Sequence, residues 1–253
     1  MSAAVLRVAH LYPRLMNIYG DRGNIMCLRH RCEARGIGFE LAELGKGDRL
    51  EAAAHDLIFA GGAQDRDQRG VVDDLMATKA DALREAVEAD VVLLAVCGAY
   101  QLFGKFYRDA SGAELPGAGI FDLHTEHPGE GARRLIGNIV ADWDAPGGRQ
   151  TLVGFENHGG RTYLGNGVQP LGRVVRGFGN NGSDGSEGAV HRNVFGTYLH
   201  GSLLPKNPRF ADHLLRTALP GVDLAPLDDR IEEMAHAEAV RLAGRRAMIR
   251  IGG

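Results

Sequence analysis

Along the first hundred positions, apolar residues gather in short runs, separated by stretches where they recur every three or four residues. LRVAHLY (6–12), FELAEL (39–44), DLIFA (56–60) and VVLLAV (91–96) have strand length and end at glycine or polar residues, as expected of strands covered on both faces. Between them, residues 23–36, ending at Gly36, and residues 70–87 carry helical spacing, and GAYQLFGKFY (98–107) continues from the fourth strand as a helix. This β-α-β order predicts an α/β fold: a doubly wound, mostly parallel sheet with helices on both faces.

After about residue 115 the pattern changes to short strand-like pieces between glycine-rich turns: GIFDLHT, RLIGNIVADW, TLVGFENH, GRVVRG and GAVHRNVFGTYLH. Such pieces meander across a sheet or extend its edge. NPRFADHLLRTAL (207–219) is predicted to be a helix with Asn207 as N-cap and Pro208 at its first position, and residues 228–246 a second, charged helix. No Pro/Ser-rich or single-charge linker divides the chain. The expected organisation is one domain over residues 1–205, with the helices of 206–253 packed on it.

The chain has 253 residues, 44 % of them hydrophobic, enough for a sizeable core. A formal charge of -3, with both signs mixed, leaves no electrostatic footprint for nucleic acid or an anionic membrane. The apolar runs fall short of the roughly 18 residues that span a bilayer. MSAAVLRVAHLYPRLM has no secretory pattern, so a cytoplasmic location without membrane insertion is expected. The cysteines at 27, 32 and 97 read as free thiols, with no disulfide framework and no metal site.

One of those thiols sits where chemistry is expected. Cys97 follows the VVLLAV strand and precedes a helix, at the carboxyl rim where open α/β sheets carry their reactive groups. Free N–H groups at the start of that helix favour a thiolate, and Gly98 permits a tight turn. Gly61-Gly62 closes another strand and offers backbone N–H groups without side-chain interference, so Gly62 and Gly98 are candidate oxyanion donors. His200 closes a third apolar strand in FGTYLHGS. Taken singly these are a buried cysteine, a plain turn and a packed histidine. Together they form the nucleophile, oxyanion donors and base of acyl transfer.

CGAYQLFG and GTYLHG resemble the nucleophile and histidine segments of the class I glutamine amidotransferases of the CobB/CobQ-like group. YPRLMNIYGDRGN, GGAQDRDQ, RLIGNIV and GFENHGGRTYLG narrow the resemblance to the glutaminase subunits of lipid II isoglutaminyl synthases, whose partner is a MurT-like Mur ligase subunit. The resemblance implies that Cys97 attacks the carboxamide of L-glutamine, that a thioester forms and is hydrolysed, and that His200 moves the protons. Arg134 matches the family's glutamine-binding arginine, with the adjacent Arg133 as an alternative, and Gln101 faces the same rim one turn after Cys97. The ammonia would pass to a heterodimeric partner that amidates the D-glutamate of the lipid II peptidoglycan precursor. No GxxxxGK[ST] signature is present, so no cofactor is expected in this chain, and ATP and Mg would bind the partner.

One departure stands out: His200-Gly201-Ser202 lacks the acid that many class I enzymes carry two residues after the histidine. An acid is expected from elsewhere, either in cis from Asp21, Asp65 or Glu156, or from the partner, with low activity in the isolated subunit. Asp21 and Asn24 otherwise read as helix caps, and residues 177–188 as a mobile loop, a lid or a partner contact. Cobyric acid type synthesis, another cysteine hydrolase activity and a non-catalytic α/β binding subunit remain alternatives at this point.

Overall fold

The computed structural model describes residues 4–244. Its centre is a six-stranded sheet built on the four strands read from the sequence: β1 (Val5–Leu11), β2 (Gly38–Leu44), β3 (Leu57–Ala60) and β4 (Val92–Val96). Every residue of β3 and β4 is buried, because helices cover both faces. These helices are α1 (Arg22–Glu33), α2 (Asp65–Thr78), α3 (Ala80–Glu88) and, after β4, the single turn and a half of α4 (Gly98–Leu102). The helical reading over 70–87 is two helices that break at Lys79, whose buried ammonium bonds the Asp48 carbonyl and the Asp74 carboxylate.

The predicted helix over 98–107 stops early. Gly104 passes so close to Leu123 that a Cβ there would overlap its side chain, and the Lys105 amide pairs with the Leu123 carbonyl. The chain then turns into β5 (Phe106–Arg108), β6 (Glu114–Pro116), β7 (Leu123–Glu126), β8 (Leu135–Ala145), β9 (Gly148–His158), β10 (Arg161–Leu164), β11 (Gly172–Arg176), β12 (Ser186–Glu187), β13 (Ala189–His191) and β14 (Val194–Thr197). Only β13 and β14 extend the central sheet, in the order β13-β14-β4-β3-β1-β2. The others do not extend its edge as expected. They form two separate four-stranded sheets, β10-β7-β5-β6 and β12-β11-β8-β9, since β8 and β9 are long enough to make their own eleven-residue hairpin.

All central pairings are parallel except β13 with β14, so the carboxyl ends of β1, β3, β4 and β14 open on one rim. Two backbone hydrogen bonds between Phe155 and His200 dock the β8–β9 sheet onto that rim.

Helix α5 (Pro208–Ala218) buries Phe210, Leu214 and Leu215 in the same core as the sheet. Asn207 precedes it as predicted, but its side chain caps nothing: it bonds both the amide and the carbonyl of Val153 in β9 and the Leu203 carbonyl. The last helix, α6 (Arg230–Ala243), buries no residue fully and is tied down by polar contacts: Arg31 reaches Asp229 at its start at 2.6 Å, and the His236 ring bonds the Thr151 hydroxyl at 2.7 Å and the Lys206 carbonyl at 2.8 Å. Residues 245 and 246 of the predicted second helix lie outside the described residues.

Candidate active site

The site starts from a strained turn. Leaving β4, Cys97 adopts φ 50° and ψ -102°, a backbone that residues with a Cβ rarely hold, and its amide is tied to the Thr197 carbonyl of β14 at 2.8 Å. The strain aims the side chain at the rim cavity, where 6 % of the residue remains exposed. Gly98 follows because the β3–α2 connection lies against the elbow: a Cβ at 98 would stand 2.7 Å from the Ala63 nitrogen. Among the described residues neither the Ala63 nor the Gly98 N–H is given to an acceptor, and they lie side by side near the thiol.

His200 arrives from the end of β14, fully buried and within hydrogen-bonding reach of the Cys97 side chain. Its Nδ1–H donates to Asp21 Oδ1 at 3.3 Å, leaving Nε2 for the thiol. Burial by itself would lower its pKa. The Cys97 side chain and the hydrogen bond and charge of Asp21 outweigh burial and raise it to about 10. Asp21, itself fully buried, stands at the N-cap position of α1 but makes no capping bond. The cap reading is therefore corrected: its carboxylate is spent on His200 and, through Oδ2, on the Gly62 amide at 2.7 Å. Asn24 likewise caps nothing, and accepts the Leu204 amide.

That contact also corrects the reading of Gly62 as an oxyanion donor. Its N–H already belongs to Asp21, and Ala63, one residue on, carries the free amide that lies against the elbow. Gly62 is glycine for space, since a Cβ there would come within 2.5 Å of His200 Cε1 and 2.6 Å of Ile18 Cγ2. Gly62→Ala is expected to cost on the order of 1–3 kcal/mol of stability and to lower kcat more than KM by displacing the imidazole. Thermal unfolding and steady-state kinetics check both, and an unchanged kcat would contradict the crowding.

A cavity of about 410 Å³, ample for one amino acid, opens beside Cys97 and Ala63. Arg134 lines it and Arg133 does not. Asn157 orients Arg134, accepting from Nε through its side chain and from Nη2 through its carbonyl, both at 2.9 Å, which leaves Nη1 available. Gln101 lines the cavity too, but both ends of its amide are occupied: Oε1 accepts from Gln68 at 2.7 Å and Nε2 donates to the Tyr198 hydroxyl at 3.1 Å. It braces the floor instead of offering a free group to a ligand.

His158 is the other histidine on the wall. Burial lowers its pKa to about 3, its Nδ1–H is given to the Gly160 carbonyl, and its ring lies flat on Tyr198 at 3.6 Å. A neutral, doubly held ring of this kind supports packing, which leaves His200 as the histidine at the thiol.

The remaining candidate acids separate in space. Glu156 is buried with one oxygen 3.9 Å from His158 Nε2 and accepts the Phe178 and Gly179 amides, burial raising its pKa to about 7. Asp65 begins α2 on the cavity wall. The glycine-rich stretch 177–188 is no lid: Asn180 and Glu187 are fully buried, and Asn180 bonds Tyr100 and the Gly188 backbone while Glu187 bonds Thr197 and the Tyr198 amide. Sequence reasoning missed Ala63, which has no chemical side chain to advertise it. The contact of Asp21 with His200 was one option among several, since 179 residues separate the two. Among the described residues no group of histidine, cysteine or acidic side chains could hold a metal ion.

Comparison with known proteins places the chain in a family. Residues 7–208 match the model of the CobB/CobQ-like glutamine amidotransferase domain. The chain is 39 % identical, over 95 % of its length and 97 % of the other protein, to the lipid II isoglutaminyl synthase (glutamine-hydrolyzing) subunit GatD of Staphylococcus aureus strain N315. It is 40 % identical to GatD of Streptococcus pneumoniae R6, over 85 % of this chain and 80 % of that protein. A probable cobyric acid synthase of Methanothermobacter thermautotrophicus is 34 % identical over 69 % of this chain but only 37 % of its own length. Among solved structures, that of PurLQS from Thermotoga maritima superposes with a TM-score of 0.55 at 16 % identity, over 85 % of this chain and 97 % of that one, a likeness of fold.

Proposed function

Since the chain belongs to the CobB/CobQ-like glutamine amidotransferase family, we propose that it is the glutamine-hydrolysing subunit of a lipid II isoglutaminyl synthase and that Cys97 is its nucleophile. The observation that carries this reading is the Asp21–His200–Cys97 relay at a strained strand-to-helix elbow.

Cys97 Sγ adds to the side-chain carbonyl carbon of L-glutamine, and the developing oxyanion is met by the free amides of Ala63 and Gly98. Collapse breaks the C–N bond, with the His200 imidazolium giving its proton to the departing nitrogen, so that ammonia leaves and a γ-glutamyl thioester remains. Water, deprotonated by the same imidazole, adds to the thioester, and glutamate and the thiol are released. Arg134, with Nη1 still available, takes the α-carboxylate.

The ammonia goes to a MurT-like Mur ligase partner that holds ATP and Mg and amidates the D-glutamate of lipid II. The chain works in the cytoplasm, and among its described residues no helix is long and apolar enough to cross a membrane. Asp21 belongs to this chain, so orienting the imidazole does not require the partner, and the isolated subunit is expected to release ammonia. The test is to measure ammonia and glutamate from L-glutamine with and without the co-expressed ligase subunit, and amidated lipid II when ATP and Mg are added. Hydrolysis without amidation would separate the chain from this ligase, and no ammonia under any condition would refute the reading.

A further inference from the structure

We propose that Asp65 receives the α-ammonium group of the bound glutamine, making it the residue that selects a free amino-acid head. This rests on the reading that the substrate is glutamine. Zwitterionic glutamine presents an anion and a cation a few bonds apart, so a selective cavity needs one side chain of each sign at its head-group end. Arg134 supplies the positive one. Among the described residues that line the cavity, Asp65 alone carries a carboxylate.

The other nearby acids are spoken for. Asp21 uses one oxygen on His200 and the other on Gly62, and Glu156 uses both of its own on the Phe178 and Gly179 amides. Asp65 differs from both. Its Oδ1 accepts the hydroxyl of the buried Tyr107 at 3.1 Å, while its Oδ2 has no donor among the described residues. Among the described residues it forms no ion pair: Arg69, one turn along α2 and near enough to feel its charge, pairs with Asp109, and Arg66 with Asp67.

The neutral acceptors on this wall are weaker partners for an ammonium than a carboxylate: Gln68 Nε2 donates to Gln101 Oε1 and to the Ala63 carbonyl, while Gln68 Oε1, buried and without a hydrogen bond among the described residues, carries no charge to offer. An anchored, half-buried carboxylate with one free oxygen therefore faces the cavity from the start of α2, and the Arg134 guanidinium faces it from the start of β8. A glutamine held between them extends its carboxamide toward the Cys97 elbow. A carboxylate-to-ammonium hydrogen bond of this kind favours substrates that carry the amino group by roughly ten- to a hundredfold.

Steady-state kinetics on L-glutamine and on glutaramate, which is glutamine without its α-amino group, test this in the wild type, Asp65→Asn and Asp65→Glu. The wild type should use glutaramate about ten- to a hundredfold less efficiently. Asp65→Asn should raise KM for L-glutamine by a similar factor with kcat little changed, leave glutaramate unaffected, and so erase the discrimination, with Asp65→Glu restoring part of it. If Asp65 merely supports the fold, both substrates will suffer alike, and that result overturns the proposal. So does a wild type that uses the two substrates equally well, whatever the variants do. A wild type that hydrolyses L-glutamine but not through an Asp65-dependent KM defeats this proposal alone, whereas one that releases no ammonia from L-glutamine defeats the glutaminase reading beneath it.

Discussion

Replacing Cys97 by alanine is expected to lower kcat for glutamine hydrolysis by at least about 10,000-fold, the scale seen when a covalent nucleophile is removed, while the melting temperature stays near that of the wild type. No other thiol can take over. Burial pushes the Cys27 thiol up to about 12 and the Cys32 thiol up to about 11, and both sit in α1, away from the cavity. The side chain at 97 packs on the cavity wall instead of filling the centre of the core, so its loss leaves little new void. Ammonia release, read beside intact-mass detection of a single iodoacetamide adduct lost in the variant, checks the assignment. Residual activity above about one per cent would place the nucleophile elsewhere.

Asp21→Asn is expected to reduce kcat by about 100- to 10,000-fold. The wild-type carboxylate accepts from two donors at once, His200 Nδ1–H and the Gly62 amide. An asparagine has one accepting oxygen, and its NH₂ must face the other donor, which either turns the imidazole to the wrong tautomer or breaks the hold on the β3–α2 connection. The pH dependence gives a second readout. The folded-state pKa of His200 is raised from 6.5 to about 10, so its interactions stabilise the fold fully below 6.5 and are lost as pH rises through about 10. Without Asp21 that raised value falls. The stability gap between wild type and variant should therefore be present at neutral pH and close above about pH 10, and the alkaline limb of kcat/KM should move to lower pH. A limb that stays in place would mean that Asp21 does not act through the imidazole.

The chemically distinctive parts of the site could be read from the chain because each lies at the end of an apolar strand. Cys97, Gly61-Gly62 and His200 all close such runs, and a parallel sheet brings those ends to one rim whatever the loops do. Arg133 and Arg134 both precede β8 in irregular chain, so no periodicity separates them, and only the folded structure shows that Arg134, held by Asn157, is the one that meets the cavity.

Local sequence misled where a side chain had two uses. Asp21 and Asn207 sit at helix starts and have the residue types of caps, yet each spends its side chain on a distant strand or base. The stretch 177–188 has the composition of a loose loop. Its asparagines and buried Glu187 nonetheless bond the backbone beneath the site, because the two extra sheets close over it.

By itself the sequence determined the doubly wound sheet, the strand ends that meet at one rim, and the residue types able to perform acyl transfer there. Period and turn chemistry are local properties, and they are written in neighbouring residues. Only the tertiary structure decided that Asp21 reaches His200 from 179 residues away, that the free amide beside the thiol is that of Ala63 and not Gly62, and that Asp65 keeps, among the described residues, an unpaired oxygen on the cavity wall. Those outcomes depend on which polar groups compete for the same partner once the chain is packed, and a buried donor or acceptor takes the partner that folding brings within about 3 Å.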